Sequence, residues 1–191
     1  GYPDKPGQAW TQGQDEDSRY WFPCLDAPAQ KATSEVIATF PAKMTAVSNG
    51  QLISDRVRRG LRTVHHRLAL PPSPYLVTLV VGELEEHLAP VPRSKCRVRT
   101  LFAPGRKAEA LRCVARTPQM VRFFEELTAQ PFPWGDYAQV FVAEFIFGGM
   151  ENTGATTLAD TVLHDQRAHL DYSAEPLISH ELAHQWFGDL L

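Results

Sequence analysis

The strongest constraint on the fold is a change of hydrophobic periodicity near residue 100. Before it, apolar residues recur at every second position, as in residues 34–40, and this alternation is typical of half-buried β-strands. After Gly105, residues 107–130 carry apolar side chains at a spacing near 3.6, which is typical of an amphipathic helix. The chain is therefore predicted to be α+β, with a β module in residues 1–100 and a mixed module in residues 101–191.

Turn and breaker residues divide each module into elements. In the β module, Asn49-Gly50 predicts a hairpin, because both residues tolerate positive φ angles. In the mixed module, Pro118 predicts either a kink or a second helix that Thr117 caps. Residues 137–145 form an apolar run that predicts a buried strand.

The last segment, residues 172–188, is predicted to be a helix. Ser173 is a suitable N-cap because its hydroxyl can accept an unpaired backbone N–H. Pro176 suits the first turn, where its missing N–H costs nothing. Gly188 is a suitable C-cap because glycine adopts the left-handed conformation without steric strain.

This helix carries an H-E-x-x-H pattern. Positions i and i+4 lie one turn plus about 40° apart, so His180 and His184 project from the same face. Two imidazole nitrogens on one face can bind one zinc ion at about 2.0–2.1 Å. Glu181 points about 100° further round, where it can act as general base and accept a proton from the attacking water. The pattern predicts a metal-activated hydrolase with one zinc ion per chain.

A second motif lies upstream of this helix. Residues 148–152 read GGMEN and end 28 residues before His180. With H-E-x-x-H, this pentapeptide resembles the M1 family of zinc aminopeptidases, a gluzincin family in which G-x-M-E-N lies about thirty residues upstream. The second position is commonly Ala in that family, but Gly149 has a parallel in its leukotriene A4 hydrolase-like branch. Residues 10–28, WTQGQDEDSRYWFPCLDAP, resemble the family's N-terminal-domain segment, so the resemblance covers essentially the whole chain.

The resemblance implies a fold as well as a chemistry. Residues 1–100 would be the C-terminal part of a β-sandwich or saddle-like N-terminal domain, and residues 101–191 the first part of a thermolysin-like peptidase domain. In the family, a Glu roughly nineteen positions after the second His completes the three protein ligands of a catalytic zinc. A Tyr further downstream stabilises the oxyanion. Both positions lie beyond Leu191, so we expect an internal fragment of a longer enzyme, with little or no activity by itself.

The resemblance also assigns substrate contacts, and it implies peptides with a free N-terminus as substrates. Glu151 would bind the α-ammonium group, since a charge-assisted hydrogen bond of about 1.5–3 kcal/mol favours N-termini over internal peptide bonds. The glycine-rich strand would lie along the substrate backbone, and the T-Q-x-Q segment would complete the pocket for the first residue. These further substrate-binding residues are Gly148, Gly149, Met150, Asn152, Gln12 and Gln14.

Two alternatives stay open. The chain could belong to a non-catalytic relative that keeps the fold as an interaction scaffold, although a scaffold has no physical need for all four of His180, Glu181, His184 and Glu151. It could also belong to a bifunctional epoxide hydrolase and aminopeptidase of the leukotriene A4 hydrolase type, which the GGMEN sequence allows.

Composition argues against several other classes of function. The 191 residues carry a formal net charge of −3, which gives no electrostatic footprint for nucleic acid. The best apolar run, residues 76–81, is too short to span a membrane. Three cysteines without C-x-x-C spacing favour free thiols and a reducing compartment such as the cytoplasm. A leader missing before Gly1 would change that assignment, so localisation stays open, as does the oligomeric state.

Overall fold

The alternating segments of the first half form β-sheets, and the helical segments of the second half pack on a further sheet. The computed structural model describes residues 7–190. The chain divides into two compact units, Gly1–Glu83 and Leu84–Leu191. The α+β class predicted from periodicity is confirmed.

Strands and helices follow one another in a clear order. Within residues 7–190 the strands are β1 (Gln8–Trp10), β2 (Ser34–Pro41), β3 (Thr45–Ser48), β4 (Gln51–Arg58), β5 (Leu61–Leu68), β6 (Leu79–Gly82), β7 (Glu85–Pro90), β8 (Arg97–Phe102), β9 (Tyr137–Val142), β10 (Gly149–Met150) and β11 (Ala155–Ala159). The α-helices are α1 (Lys107–Cys113), α2 (Thr117–Thr128) and α3 (Glu175–His184). None of these helices has the length and apolar character needed to cross a membrane.

The first unit contains two antiparallel three-stranded sheets, with strand orders β1-β6-β3 and β2-β5-β4. Every second residue of a strand points to the same face, so the alternating apolar positions of both sheets can meet. Their meeting point is a cluster of buried and partly buried residues: Phe40, Ala46, Val64, Ala38, Met44, Leu79 and Val81. The unit is therefore a small β-sandwich.

The hairpin predicted at Asn49-Gly50 is wrong. β3 pairs with β6 and β4 pairs with β5, so this turn passes the chain from one sheet to the other. The Asn49 side chain holds the turn, since its Nδ2 donates to the carbonyl of Leu76 at 2.9 Å and its Oδ1 accepts from the amide of Thr78 at 2.7 Å. Long-range hydrogen bonds to the segment before β6 therefore override the local turn preference.

The second unit contains a five-stranded sheet in the order β10-β11-β9-β8-β7. Strands β8, β9 and β11 are parallel, whereas β7 and β10 run antiparallel at the two edges. All six residues of β9 are buried, as is usual inside a parallel sheet. The strand predicted over residues 137–145 is three residues shorter in the structure, since residues 143 and 144 form a turn and Glu144 is exposed. Because β7 and β8 pair within this sheet, the compact units divide upstream of the change in periodicity near residue 100.

Pro118 separates two helices rather than bending one. α1 ends at Cys113 and α2 begins at Thr117, with Pro118 in its first turn. The second-helix alternative is therefore confirmed. The predicted cap is wrong, since Arg116 occupies the N-cap position and Thr117 is already helical.

The ends of α3 also differ from the prediction. Ala174 is the N-cap, although the Ser173 hydroxyl still accepts the backbone N–H of Glu175 at 3.2 Å. Pro176 lies in the first turn as predicted. The helix stops at His184 with Gln185 as its C-cap, so Gly188 lies in the turns that follow the helix.

We predict that Gly50→Ala destabilises the first unit by about 2–5 kcal/mol. Gly50 has φ +80°, and a Cβ there would lie 2.1 Å from the carbonyl oxygen of Arg67, so left-handed strain adds to a backbone overlap. Gly60→Ala is the matched control, because Gly60 has φ +77° but no atom within 4 Å of the added Cβ. We expect it to cost about 1–2 kcal/mol. Urea denaturation followed by circular dichroism measures both, and equal losses would contradict the overlap.

Candidate active site

The predicted metal and substrate residues of the second unit lie where α3 packs beside β10. α3 supplies His180, Glu181 and His184, and β10 with the residues directly before and after it supplies the two glycines and Glu151. The structure therefore brings the two sequence motifs together, although His180 lies 28 positions after the last residue of GGMEN.

The two histidines of α3 present their Nε2 atoms to each other at 3.2 Å. Two nitrogens that bind one tetrahedral zinc ion at about 2.0–2.1 Å lie roughly 3.3 Å apart, so this spacing fits a metal pair. The Nδ1 of His184 lies 3.1 Å from the carbonyl oxygen of Phe187. Because a carbonyl only accepts, Nδ1 carries the proton and donates it, which leaves the Nε2 lone pair available to a cation.

These two imidazoles by themselves would make only a partial ligand set. Within residues 7–190, no group of three or more His, Cys, Asp or Glu side chains is arranged to hold a metal ion. The side chains of α3 therefore fit two of the three protein ligands that catalytic zinc sites use.

Glu181 lies on the buried side of α3 and is 5% exposed. Burial raises its pKa to about 7, and the negative charge of Glu151 contributes further in the same direction. Burial disfavours the charged carboxylate because water no longer solvates it, and a like charge adds repulsion.

Gly149 makes room for Glu181. A Cβ on Gly149 would lie 2.6 Å from Oε1 of Glu181 and 2.7 Å from both Cδ and Cγ. The Glu181 side chain therefore rests against the backbone of β10 in space that any larger residue at position 149 would occupy. This close approach gives a physical reason for the second glycine of GGMEN in this chain.

The other residues of GGMEN fix the backbone. Gly148 accepts a hydrogen bond from the amide of Ala159 at 3.0 Å, which extends the pairing of β10 with β11. The Met150 side chain is 1% exposed and packs into the unit. Asn152 is also buried, and its Oδ1 accepts from the hydroxyl of Thr157 at 3.0 Å. Glu151 is half-buried beside them.

Sequence reasoning missed one residue of this region, Gln185. It is fully buried directly after His184, its Oε1 accepts from the amide of Gly154 at 2.7 Å, and its Nε2 donates to the carbonyl of Glu151 at 3.0 Å. The signal that the sequence offers is weak. Gln185 directly follows His184, a predicted ligand, and a helix that exposes one face must bury its other faces.

Gln12 and Gln14 lie in the first unit, in the loop after β1. The Oε1 of Gln12 accepts from the backbone amides of Gly13 at 2.8 Å and of Gln14 at 3.3 Å. This side chain therefore shapes its own loop, and its part in a substrate pocket stays a prediction.

Comparison with known proteins agrees with both motifs. Residues 2–76 match the family model for the peptidase M1 N-terminal domain, and residues 113–191 match the model for the peptidase family M1 domain. The two models together cover most of the chain and lie in the order that the sequence motifs predict.

Individual relatives are similar along nearly the whole chain. Aminopeptidase M1 of Arabidopsis thaliana is 31% identical, over 98% of this chain and 22% of the relative. Alanine/arginine aminopeptidase of Saccharomyces cerevisiae is 32% identical, over 96% of this chain and 22% of the relative. Endoplasmic reticulum aminopeptidase 1 of Mus musculus is 29% identical, over 96% and 20% respectively. The chain thus spans about a fifth of the length of these relatives.

We predict that Gly149→Ala displaces the Glu181 carboxylate, because the added methyl group occupies the space of its Cγ, Cδ and Oε1. The overlap involves a flexible side chain, so the free energy of unfolding should fall by only about 1 kcal/mol. Gly148→Ala is the control, since its Cβ would lie 3.4 Å or more from the methyl groups of Leu177. A crystal structure of each variant gives the rotamer of Glu181. An unmoved side chain in Gly149→Ala would contradict the packing described above.

Proposed function

The chain belongs to peptidase family M1, and from this membership we propose that it carries part of the catalytic centre of a zinc-dependent aminopeptidase. The proposed reaction removes the N-terminal residue of a peptide by attack of water on the first peptide bond. The observation that carries the proposal is that α3 carries a histidine pair and packs its buried carboxylate, Glu181, against β10, the strand that leads into Glu151.

His180 and His184 would hold the zinc ion. Their Nε2 spacing of 3.2 Å suits one tetrahedral metal, and the bond from His184 Nδ1 to the Phe187 carbonyl fixes the tautomer that binds it. The third ligand in this proposal is the Glu that the family pattern places beyond Leu191. When bound, zinc supplies Lewis acidity, which polarises the scissile carbonyl and makes water a better nucleophile at neutral pH.

Glu181 is proposed to be the general base. Its carboxylate follows His180 directly on α3 and rests against Gly149 of β10. A side chain held by packing on both sides needs little reorganisation to accept a proton from water at the adjacent histidine pair.

Glu151 is proposed to bind the α-ammonium group of the substrate. A positive ammonium placed next to Glu151 and Glu181 would relieve the repulsion between the two carboxylates. An internal peptide bond offers no such charge, so the pair of carboxylates favours a free N-terminus. The negative charge of the site therefore favours the peptide bond next to a free N-terminus.

The backbone of β10 is proposed to align the substrate. In the described sheet β10 pairs only with β11, so its other edge faces away from the sheet. An extended peptide can pair with such an edge through main-chain hydrogen bonds. Gly148, Gly149 and Met150 would contribute backbone, and Asn152 would border the pocket for the first residue.

We predict that Glu181→Gln in the full-length protein lowers kcat by roughly 10²–10⁴-fold and leaves zinc content unchanged, because the amide cannot accept the proton of water. Glu175→Gln on the same helix is the control, since Glu175 pairs at the surface with Arg116. Nitroanilide hydrolysis and metal analysis measure the two properties.

Four results would count against this role or this function. Activity retained in Glu181→Gln would remove Glu181 from the chemistry. Loss of zinc in the same variant would reduce its role to metal binding. A wild-type protein that binds zinc but cleaves no aminoacyl substrate would favour the interaction scaffold. Epoxide hydrolysis by the wild type, measured in parallel, would favour the bifunctional alternative.

We predict that Glu151→Gln lowers kcat/KM for free aminoacyl substrates by roughly 10–150-fold, which corresponds to the loss of a charge-assisted hydrogen bond. N-acetylated substrates lack the ammonium group, so their slow cleavage should not change. Glu144→Gln, at an exposed position on the segment before β10, serves as the control. An equal loss for free and acetylated substrates would contradict the assignment of Glu151.

A further inference from the structure

One buried side chain connects the end of the histidine helix to the turn that carries Glu151. Gln185 has no exposed surface, and it directly follows His184. Its Nε2 donates to the carbonyl oxygen of Glu151 at 3.0 Å, and its Oε1 accepts from the amide of Gly154 at 2.7 Å. A single amide group therefore binds both ends of the turn between β10 and β11.

The two hydrogen bonds use both polar groups of the Gln185 side chain, the N–H as donor and the C=O as acceptor. A carboxamide offers a donor and an acceptor side by side, so one planar group can satisfy a carbonyl and an N–H that lie close together. Buried main-chain groups without such partners would be costly. The backbone of the turn is therefore held at a defined distance from α3, and the Cα of Glu151 is held with it.

Gln185 is itself fixed from the opposite side. Its backbone carbonyl accepts the indole N–H of Trp134 at 3.0 Å, and its backbone amide donates to Leu182 at 3.1 Å. Trp134 also packs on the turn, because a Cβ on Gly154 would lie 3.1 Å from the Cβ of Trp134. Helix end, indole and turn thus form one connected network of buried groups.

We propose that Gln185 is a positioning residue for substrate selection: it sets the place of the Glu151 carboxylate relative to the histidine pair. The inference rests on the proposed function, in which Glu151 binds the substrate ammonium and His180 and His184 hold the metal. The distance between the Glu151 carboxylate and the metal held by the histidine pair determines which peptide bond of the substrate is attacked. Gln185 controls that spacing because it follows one histidine in sequence and bonds to the backbone of Glu151.

A purely structural role makes a different prediction. If Gln185 only stabilised the fold, its loss would lower the yield or the stability of the protein without changing the choice of substrate. Displacement of Glu151 instead weakens the recognition of free N-termini selectively. A misplacement of about 1 Å can change rates by roughly 10²-fold, so even a small shift is measurable.

The test compares Gln185→Met with Thr156→Val in the full-length protein. Methionine is unbranched and of similar length, but it cannot make either bond of the Gln185 amide. Thr156→Val removes another buried hydrogen bond of the same unit, between Thr156 and Tyr137, and leaves both bonds of Gln185 intact. Gln185→Met should lose more stability, because it leaves two main-chain groups unpaired, so the choice of substrate rather than the stability decides the test. The Gln185→Glu variant keeps an acceptor for Gly154 and loses the donor to Glu151 when its carboxyl is ionised.

The readout is the ratio of kcat/KM for an aminoacyl nitroanilide to that for its N-acetylated counterpart. We expect Gln185→Met to lower this ratio about tenfold or more, mainly through a higher KM for the free substrate. Gln185→Glu should lower it in the same direction, and Thr156→Val should leave it unchanged. Zinc affinity should stay the same in all three variants, because the bond from His184 to the Phe187 carbonyl is untouched.

The outcomes separate this inference from the function on which it rests. An active wild type with the same ratio in Gln185→Met would overturn the positioning role alone. A zinc-loaded wild type without aminopeptidase activity would overturn both. A ratio that falls equally in Thr156→Val would show that general loosening of the second unit, rather than loss of the Gln185 amide, is responsible, and would overturn the positioning role.

Discussion

The site depends on how firmly α3 is anchored in the second unit. Trp186, two residues after the second histidine, is 1% exposed. Its ring stacks on Phe124 of α2 at 5.7 Å and meets Phe132 edge-to-face at 5.5 Å, and its Nε1 donates to the carbonyl of Gln130 at 3.3 Å. Aromatic contacts of this kind bury a large area and restrict rotation. With its C-terminal end fixed in this way, α3 packs one face against β10, and its adjacent face carries the histidine pair.

A second consequence of that anchoring is the close contact between Glu181 and β10. The helix lies so near the strand that a Cβ on Gly149 would overlap the Glu181 side chain. A methyl group at position 149 and this rotamer of Glu181 therefore exclude each other. The second glycine of GGMEN and the position of the Glu181 carboxylate are coupled in this chain.

Local sequence signals predicted the structure correctly where local interactions, rather than contacts with distant residues, decide the backbone conformation. The spacing of His180 and His184 fixes a shared helix face by helical geometry alone, and Pro118 disfavours an uninterrupted helix because it lacks an N–H. The same kind of reasoning was wrong at Asn49-Gly50. There the side chain of Asn49 bonds to the carbonyl of Leu76 and the amide of Thr78, so β3 and β4 enter different sheets. A preference for positive φ is satisfied equally well by a hairpin and by a turn between sheets.

The sequence by itself determined the α+β class, the order of the elements and the membership of M1, because periodicity and motif spacing are properties of the chain. Only the tertiary structure decided which groups meet. It placed Glu181 against Gly149, and it gave Gln185 two main-chain partners more than thirty residues upstream. Such contacts depend on the packing of α3 against the edge of a sheet. No local pattern encodes that packing, because its energy comes from the burial of residues far apart in the chain.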